Sequence, residues 1–225
     1  MNASVVQPRI GMRGHGFFIA LLIILLLAVD TAVKIAVKTT MTLGESIRVF
    51  NWFYIVFIEN PGMAFGLSIG NKWILTLFRI VVACVVGYYI VQLVRMRYKV
   101  SYTVVVALVF AGAVGNIIDC MFYGVLLGES TPVSVAQWMP ESGGYASLLC
   151  GNVVDMFYFP LFTFPNWMPL LGGEIFFSPI FNVADACITV GIFLLFIFFR
   201  HEFNETFGQV FSKKSQHTTS SQSAA

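Results

Sequence analysis

The chain has 225 residues, of which 58% are hydrophobic and only 11% charged, with a formal net charge of +2. Soluble domains carry about 25% charged residues, so this composition belongs to the membrane class. So small a net charge gives no argument for a nucleic-acid partner.

Residues 1–14 are a short lead containing Arg9 and Arg13. Apolar runs follow at about 17–37, 73–94, 102–123 and 179–199, each near the ~20 residues that cross a bilayer as a helix. The first run is too long for a secretory h-region, carries Asp30 and Lys34 and lacks a small-x-small cleavage site, so it is expected to be a retained helix. Arg95, Arg97 and Lys99 join the second run to the third, and Arg200, Lys213 and Lys214 follow the fourth. By the positive-inside rule these segments and both termini are cytoplasmic, which leaves loops 38–72 and 124–178 outside.

The first outer loop holds a β-branched and aromatic run, Ile47 to Ile58, bounded by Gly44 and Pro61-Gly62, which predicts one or two short strands. The second is rich in Pro, Gly, Trp and Phe, so both loops are expected at the outer membrane surface. Residues 1–205 form the expected membrane domain. The polar stretch 206–225 cannot bury a core and is expected to be a disordered tail.

Asp155, in Gly151-Asn152-Val153-Val154-Asp155, and Asp185, in Phe181-Asn182-Val183-Ala184-Asp185, lie in strongly apolar sequence. No Lys or Arg stands between Lys99 and Arg200 to neutralise them. Carboxylates placed so expensively usually mark a functional site. Asp30 and Lys34, four apart, share a helix face and could simply neutralise each other. Gly112, Asn116 and Asp119 share a face of the third helix. Small-xxx-small spacing accounts for the glycines as packing but leaves Asp119 needing a partner. Asn60 precedes the Pro61-Gly62 turn signal.

Other chemistries are excluded. No His-Glu-x-x-His is present, and His15, His201 and His217 all fall on the cytoplasmic side, which removes a zinc peptidase. No Gly-x-Ser-x-Gly and no Cys–His arrangement occurs. The four cysteines match no metal or disulfide framework and read as apolar packing, with a Cys120–Cys150 bridge as a remote alternative.

Five blocks in order resemble the lipoprotein signal peptidases (signal peptidase II) over nearly the whole membrane portion. They are Asp30-Thr31-Ala32-Val33-Lys34, Asn60-Pro61-Gly62-Met63-Ala64-Phe65, Gly112 to Asp119 as Gly-x-x-Gly-Asn-x-x-Asp, Gly151 to Asp155, and Phe181 to Asp185. The resemblance implies an all-α integral membrane protein with four transmembrane helices, a small extracytoplasmic β-rich cradle and a long outer loop. It implies an aspartyl endopeptidase of the bacterial cytoplasmic membrane that cleaves prolipoproteins before a diacylglyceryl-modified cysteine. Asp155 and Asp185 would be the catalytic dyad. Asn60, Gly62, Gly112, Asn116 and Asn182 would bind substrate or orient the dyad, with Asp30, Lys34 and Asp119 in support. No metal or other cofactor is implied, and the partners would be lipid-modified precursors and membrane lipid, met by a monomer.

Two features depart from the family pattern. Cys120 stands where the family usually has Arg after the third-block aspartate, and 35 residues separate Asp119 from Asp155 where the family has only a few. The extra residues read as an inserted outer loop that could cover the cleft or select substrates. Two rival classes are a small ion-coupled transporter or channel using intramembrane carboxylates and a non-enzymatic assembly factor. Against transport, the acids gather at outer helix ends and no internal repeat is visible.

Overall fold

The computed structural model describes residues 12–61 and 71–222, with side chains at 14–61 and 71–211. Helix α1 (Met12–Thr40) leads into a hairpin, β1 (Ser46–Phe50) and β2 (Phe53–Asn60). Helix α2 (Lys72–Arg95) and helix α3 (Val100–Ile118) follow. A π turn (Asp119–Tyr123) and the single turn α4 (Gly124–Leu126) prolong α3. Strand β3 (Val153–Tyr158) comes next, then β4 (Phe162–Thr163), β5 (Ile175–Phe176), β6 (Ile180–Phe181), helix α5 (Val183–Phe198) and helix α6 (Arg200–Gln222).

The bundle is built around α3, which packs on α5, α1 and α2. The α3–α5 contact is close because Gly112 has no side chain. A Cβ there would meet the Ala184 carbonyl and lie 2.7 Å from Ile188 Cγ1. The outward faces of α1, α2 and α5 expose Phe17, Ile24, Phe78, Val81, Phe193 and Phe196, as a lipid-facing surface requires.

Among the described residues, three helical spans are long and apolar enough to cross a membrane: Gly14–Thr40, Lys72–Arg95 and Val100–Leu126. The expected fourth span, 179–199, is shorter. Ile180 and Phe181 pair as β6 with β3, so the helix starts at Val183. Its 16 residues cover about 24 Å, short of the ~30 Å hydrocarbon core. The chain then turns by 96° into α6.

Two further expectations change. The fold is not all-α, because β1, β2, β3 and β6 form a four-stranded antiparallel sheet and β4 pairs with β5. All but β6, which comes from the start of the expected fourth span, are β-branched and aromatic runs of the outer loops, and the larger sheet pairs segments from both loops. Where composition predicts disorder from 206, α6 continues as a helix. Phe207, Val210 and Phe211 recur at helical spacing, and Phe207 and Phe211 set their rings against Tyr89 of α2.

Candidate active site

Asp155 and Asp185 reach one place from different elements. Asp155 is the third residue of β3, pairs in register with Ile58 and is only 5% exposed. Asp185 is the third residue of α5. Asn182 joins them. Its Nδ2 donates to Asp155 Oδ1 at 2.7 Å, and its Oδ1 accepts the Asp185 backbone N–H at 2.8 Å. That second bond is an N-cap, returned by the Asn182 N–H to Asp185 Oδ2 at 3.4 Å. Asn182 is therefore cap and carboxylate holder at once. Asn116 of α3 donates to Asp185 Oδ1 at 2.7 Å, and Asn60, the last residue of β2, sets Nδ2 3.5 Å from Asp155 Oδ2.

Beneath this layer lies a buried cation. The Lys34 ammonium, wholly enclosed, pairs with Asp30 at 2.8 Å and Asp119 at 2.7 Å and donates to Asn116 Oδ1 at 2.9 Å. Each of its carboxylates holds one backbone amide. Asp30 Oδ1 accepts from Ala184 N at 2.8 Å, and Asp119 Oδ2 accepts from Val154 N at 3.3 Å. Ala184 and Val154 immediately precede Asp185 and Asp155 in the chain. One ammonium thus fixes both backbone segments that present Asp155 and Asp185.

The wiring has a direction. An ammonium only donates, so Asn116 must turn its oxygen to Lys34 and its NH2 to Asp185. Asn182 also donates to Asn116 Oδ1, at 3.2 Å, so its NH2 is likewise committed towards oxygen acceptors, Asp155 among them. Both amides act as donors to the two carboxylates. Burial, and then the negative charge of Asp185, push the Asp155 carboxyl up to about 7.

The remaining expected residues divide. Gly112 acts in helix packing, below the polar cluster. Gly151 passes under the π turn, where its N–H donates to the Cys120 carbonyl at 2.9 Å and a side chain would strike the Asp119 carbonyl. Gly62 lies outside the described residues. Asp119, which lacks a sequence-adjacent cation, finds its partner in Lys34 across the α1–α3 contact. The Asp30–Lys34 pair is accordingly more than a self-neutralising one.

One site neighbour escaped the sequence reading. Arg79, inside α2, donates from Nη1 to Cys120 Sγ at 3.5 Å, so a guanidinium reaches this position from another helix. The signal was present, since Arg79 interrupts an apolar span. Cys120 and Cys150 are both free thiols, not bridged.

Comparison with known proteins decides the family. The family model for signal peptidase (SPase) II matches residues 22–200. The chain belongs to the signal peptidase II family. It is 50% identical over 188 residues to a lipoprotein signal peptidase of Porphyromonas gingivalis, covering 81% of this chain and 83% of that one. A lipoprotein signal peptidase of Amoebophilus asiaticus is 31% identical over 182 residues, covering 76% and 73%. Two solved bacterial membrane enzymes share the fold. One has a TM-score of 0.54 at 24% identity, covering 80% of this chain and 85% of that chain. The other has 0.51 at 25%, covering 80% and 90%. As a signal peptidase II this chain is a membrane-embedded protease, and the transporter reading has no support among these relatives.

Proposed function

We propose that this chain removes the signal peptide from diacylglyceryl-modified prolipoproteins, cleaving before the lipidated cysteine, with Asp155 and Asp185 as the catalytic dyad. The observation that carries the reading is the single Asn182 amide that binds the Asp155 carboxylate and the Asp185 backbone together.

Two neighbouring carboxyls in a dry site share one proton. Asp185 stands in the first turn of α5 and accepts from the Asn116 amide. Enclosure of Asp155 favours keeping the proton there. Asp185 accordingly takes a proton from water, which attacks the scissile carbonyl, while Asp155 polarises that carbonyl and helps protonate the departing nitrogen. Neither a metal nor a nucleotide enters this chemistry. Asn60 is the strand end against which the peptide would lie, and Gly62 is assigned to substrate binding from its sequence block alone.

In this reading α5 with its bent continuation is the fourth span, both termini are cytoplasmic and the dyad lies near the outer face of the bacterial cytoplasmic membrane. The arginines and lysines flanking the helices support this orientation. The chain would act as a monomer among membrane lipids.

The test is cleavage of a diacylglyceryl-modified precursor peptide by purified Asp155→Asn and Asp185→Asn variants. Each is expected to give no product while remaining folded in detergent. Near-normal cleavage by either would overturn the dyad.

A further inference from the structure

A second buried ion pair lies one turn beyond Lys34 and outside the five sequence blocks apart from its neighbours. Lys38 is fully enclosed. Its ammonium pairs with Glu59, donates to Ser130 Oγ at 3.0 Å and lies 4.6 Å from the centre of the Tyr145 ring. The other Glu59 oxygen accepts from Asn152 Nδ2 at 2.8 Å. Asn152 in turn accepts from Lys72 Nζ at 2.7 Å and gives its backbone N–H to Tyr145 Oη at 2.7 Å.

This cluster sits at the end of the strand ladder that carries Asp155. Glu59 precedes Asn60, Asn152 precedes Val153, and Asn60 and Val153 are register partners. A buried ammonium is costly unless paired and hydrogen-bonded, and the backbone ladder alone would keep β2 on β3 without one. What the ladder cannot do is set the sheet at a fixed angle to α1. Lys34 holds β3 to α1 at one point, through Asp119 and the Val154 amide. Lys38, four residues on and on the same helix face, holds the ladder end at a second. Val37 of α1 and Met41 just after it share an apolar core with Phe57, Val154 and Met156 of the sheet, and the two polar attachments add the direction that apolar packing lacks.

We infer that Lys38 is a positioning residue for Asp155, setting β3 on α1 through Glu59 and Asn152 so that the carboxylate meets Asn182. Ser130 and Tyr145 belong to the inserted outer segment, so that segment serves as a fixed buttress behind the pair and not as a lid over the cleft. The inference rests on the dyad reading above.

The experiment compares full-length wild type, Lys38→Met, Lys38→Met/Glu59→Gln and Asp155→Asn, each purified and scored per folded molecule. Asp155 is faced by Asp185, Asn182 and Asn60, with the charge of Lys34 behind them, and none of these is altered in the lysine variants. Lys38→Met is expected to lower kcat about 10- to 100-fold, as a carboxylate displaced by up to an ångström would, with KM unchanged. The basic limb of its pH profile is expected at lower pH, because a displaced Asp155 is better hydrated. The double variant leaves no unpaired charge and keeps an oxygen for Asn152, so it is expected to recover most of kcat. An unchanged kcat and basic limb in Lys38→Met, with or without loss of folded yield, overturns the inference. So does a change confined to KM. Cleavage by Asp155→Asn would instead overturn the dyad itself.

Discussion

Replacing Asn182 by serine separates the two jobs that one side chain performs. A serine Oγ can still accept the Asp185 N–H, and serine caps helices about as well as asparagine, so the N-cap contribution of ~1 kcal/mol is retained. What disappears is the Nδ2 donor at 2.7 Å from Asp155 Oδ1. As Asp155 gives up its proton to the departing nitrogen, this becomes a hydrogen bond to a charged group, which contributes about 1.5–3 kcal/mol. At 1.36 kcal/mol per tenfold, its loss from a reacting carboxylate corresponds to a fall in kcat of about 10- to 150-fold. Asn182→Ala loses the same donor and the cap as well. It is expected to match Asn182→Ser in kcat but to unfold a few degrees lower, since ~1 kcal/mol shifts Tm by about 2–4 °C at this size. Steady-state cleavage of a lipidated precursor, with thermal unfolding of the same samples, reads both quantities. A kcat for Asn182→Ser within about twofold of wild type would refute the claim that this amide orients Asp155, as would a loss confined to KM.

Three further outcomes follow from the same geometry. Because Asp155 is raised from 3.8 to about 7, the fold binds its proton more tightly than the unfolded chain does. Its stabilising contribution is complete below about 3.8 and is lost as pH rises through about 7; cleavage is expected to fall over the upper part of that window, measured as kcat against pH, and Asp155→Asn should remove the stability component. Lys34→Met leaves Asp30 and Asp119 buried and uncompensated, with an expected loss of about 3–5 kcal/mol, seen as collapse of folded yield in detergent. Gly112→Ala drives a methyl into Ala184 and Ile188, costing about 1–3 kcal/mol by thermal unfolding. It should also slow cleavage, because it pushes Asp185 away from Asn116.

The cluster of carboxylates and amides was legible because Asp155, Asp185, Asn116 and Asn182 are each a polar group in apolar sequence. Asp155, Asp185, Asn116 and Asn182 meet as the blocks imply, with Asn60 at the edge. Which group holds which was not legible. Asp119 looked orphaned beside Cys120, yet its cation lies 85 positions away on another helix. Counting charges along the chain left Asp119 without a base that Lys34 supplies across the bundle, while Asp155 and Asp185 are held by amide donors. Strands were expected in the first outer loop, but their partner, β3, comes from the second. No periodicity in either loop reports that pairing. The last helix was drawn from 179 because hydropathy measures apolar length and does not show that Ile180 and Phe181 pair as a strand.

The directional wiring from Lys34 through Asn116 and Asn182 has an evolutionary consequence. A donor-only head group fixes the polarity of every amide above it, so no single member can be exchanged for one of opposite sense without setting donor against donor or lone pair against lone pair. Positions 34, 116 and 182 are expected to drift only as a correlated set. Comparison of divergent sequences should find them inherited together, while solvent-facing residues one turn away vary freely.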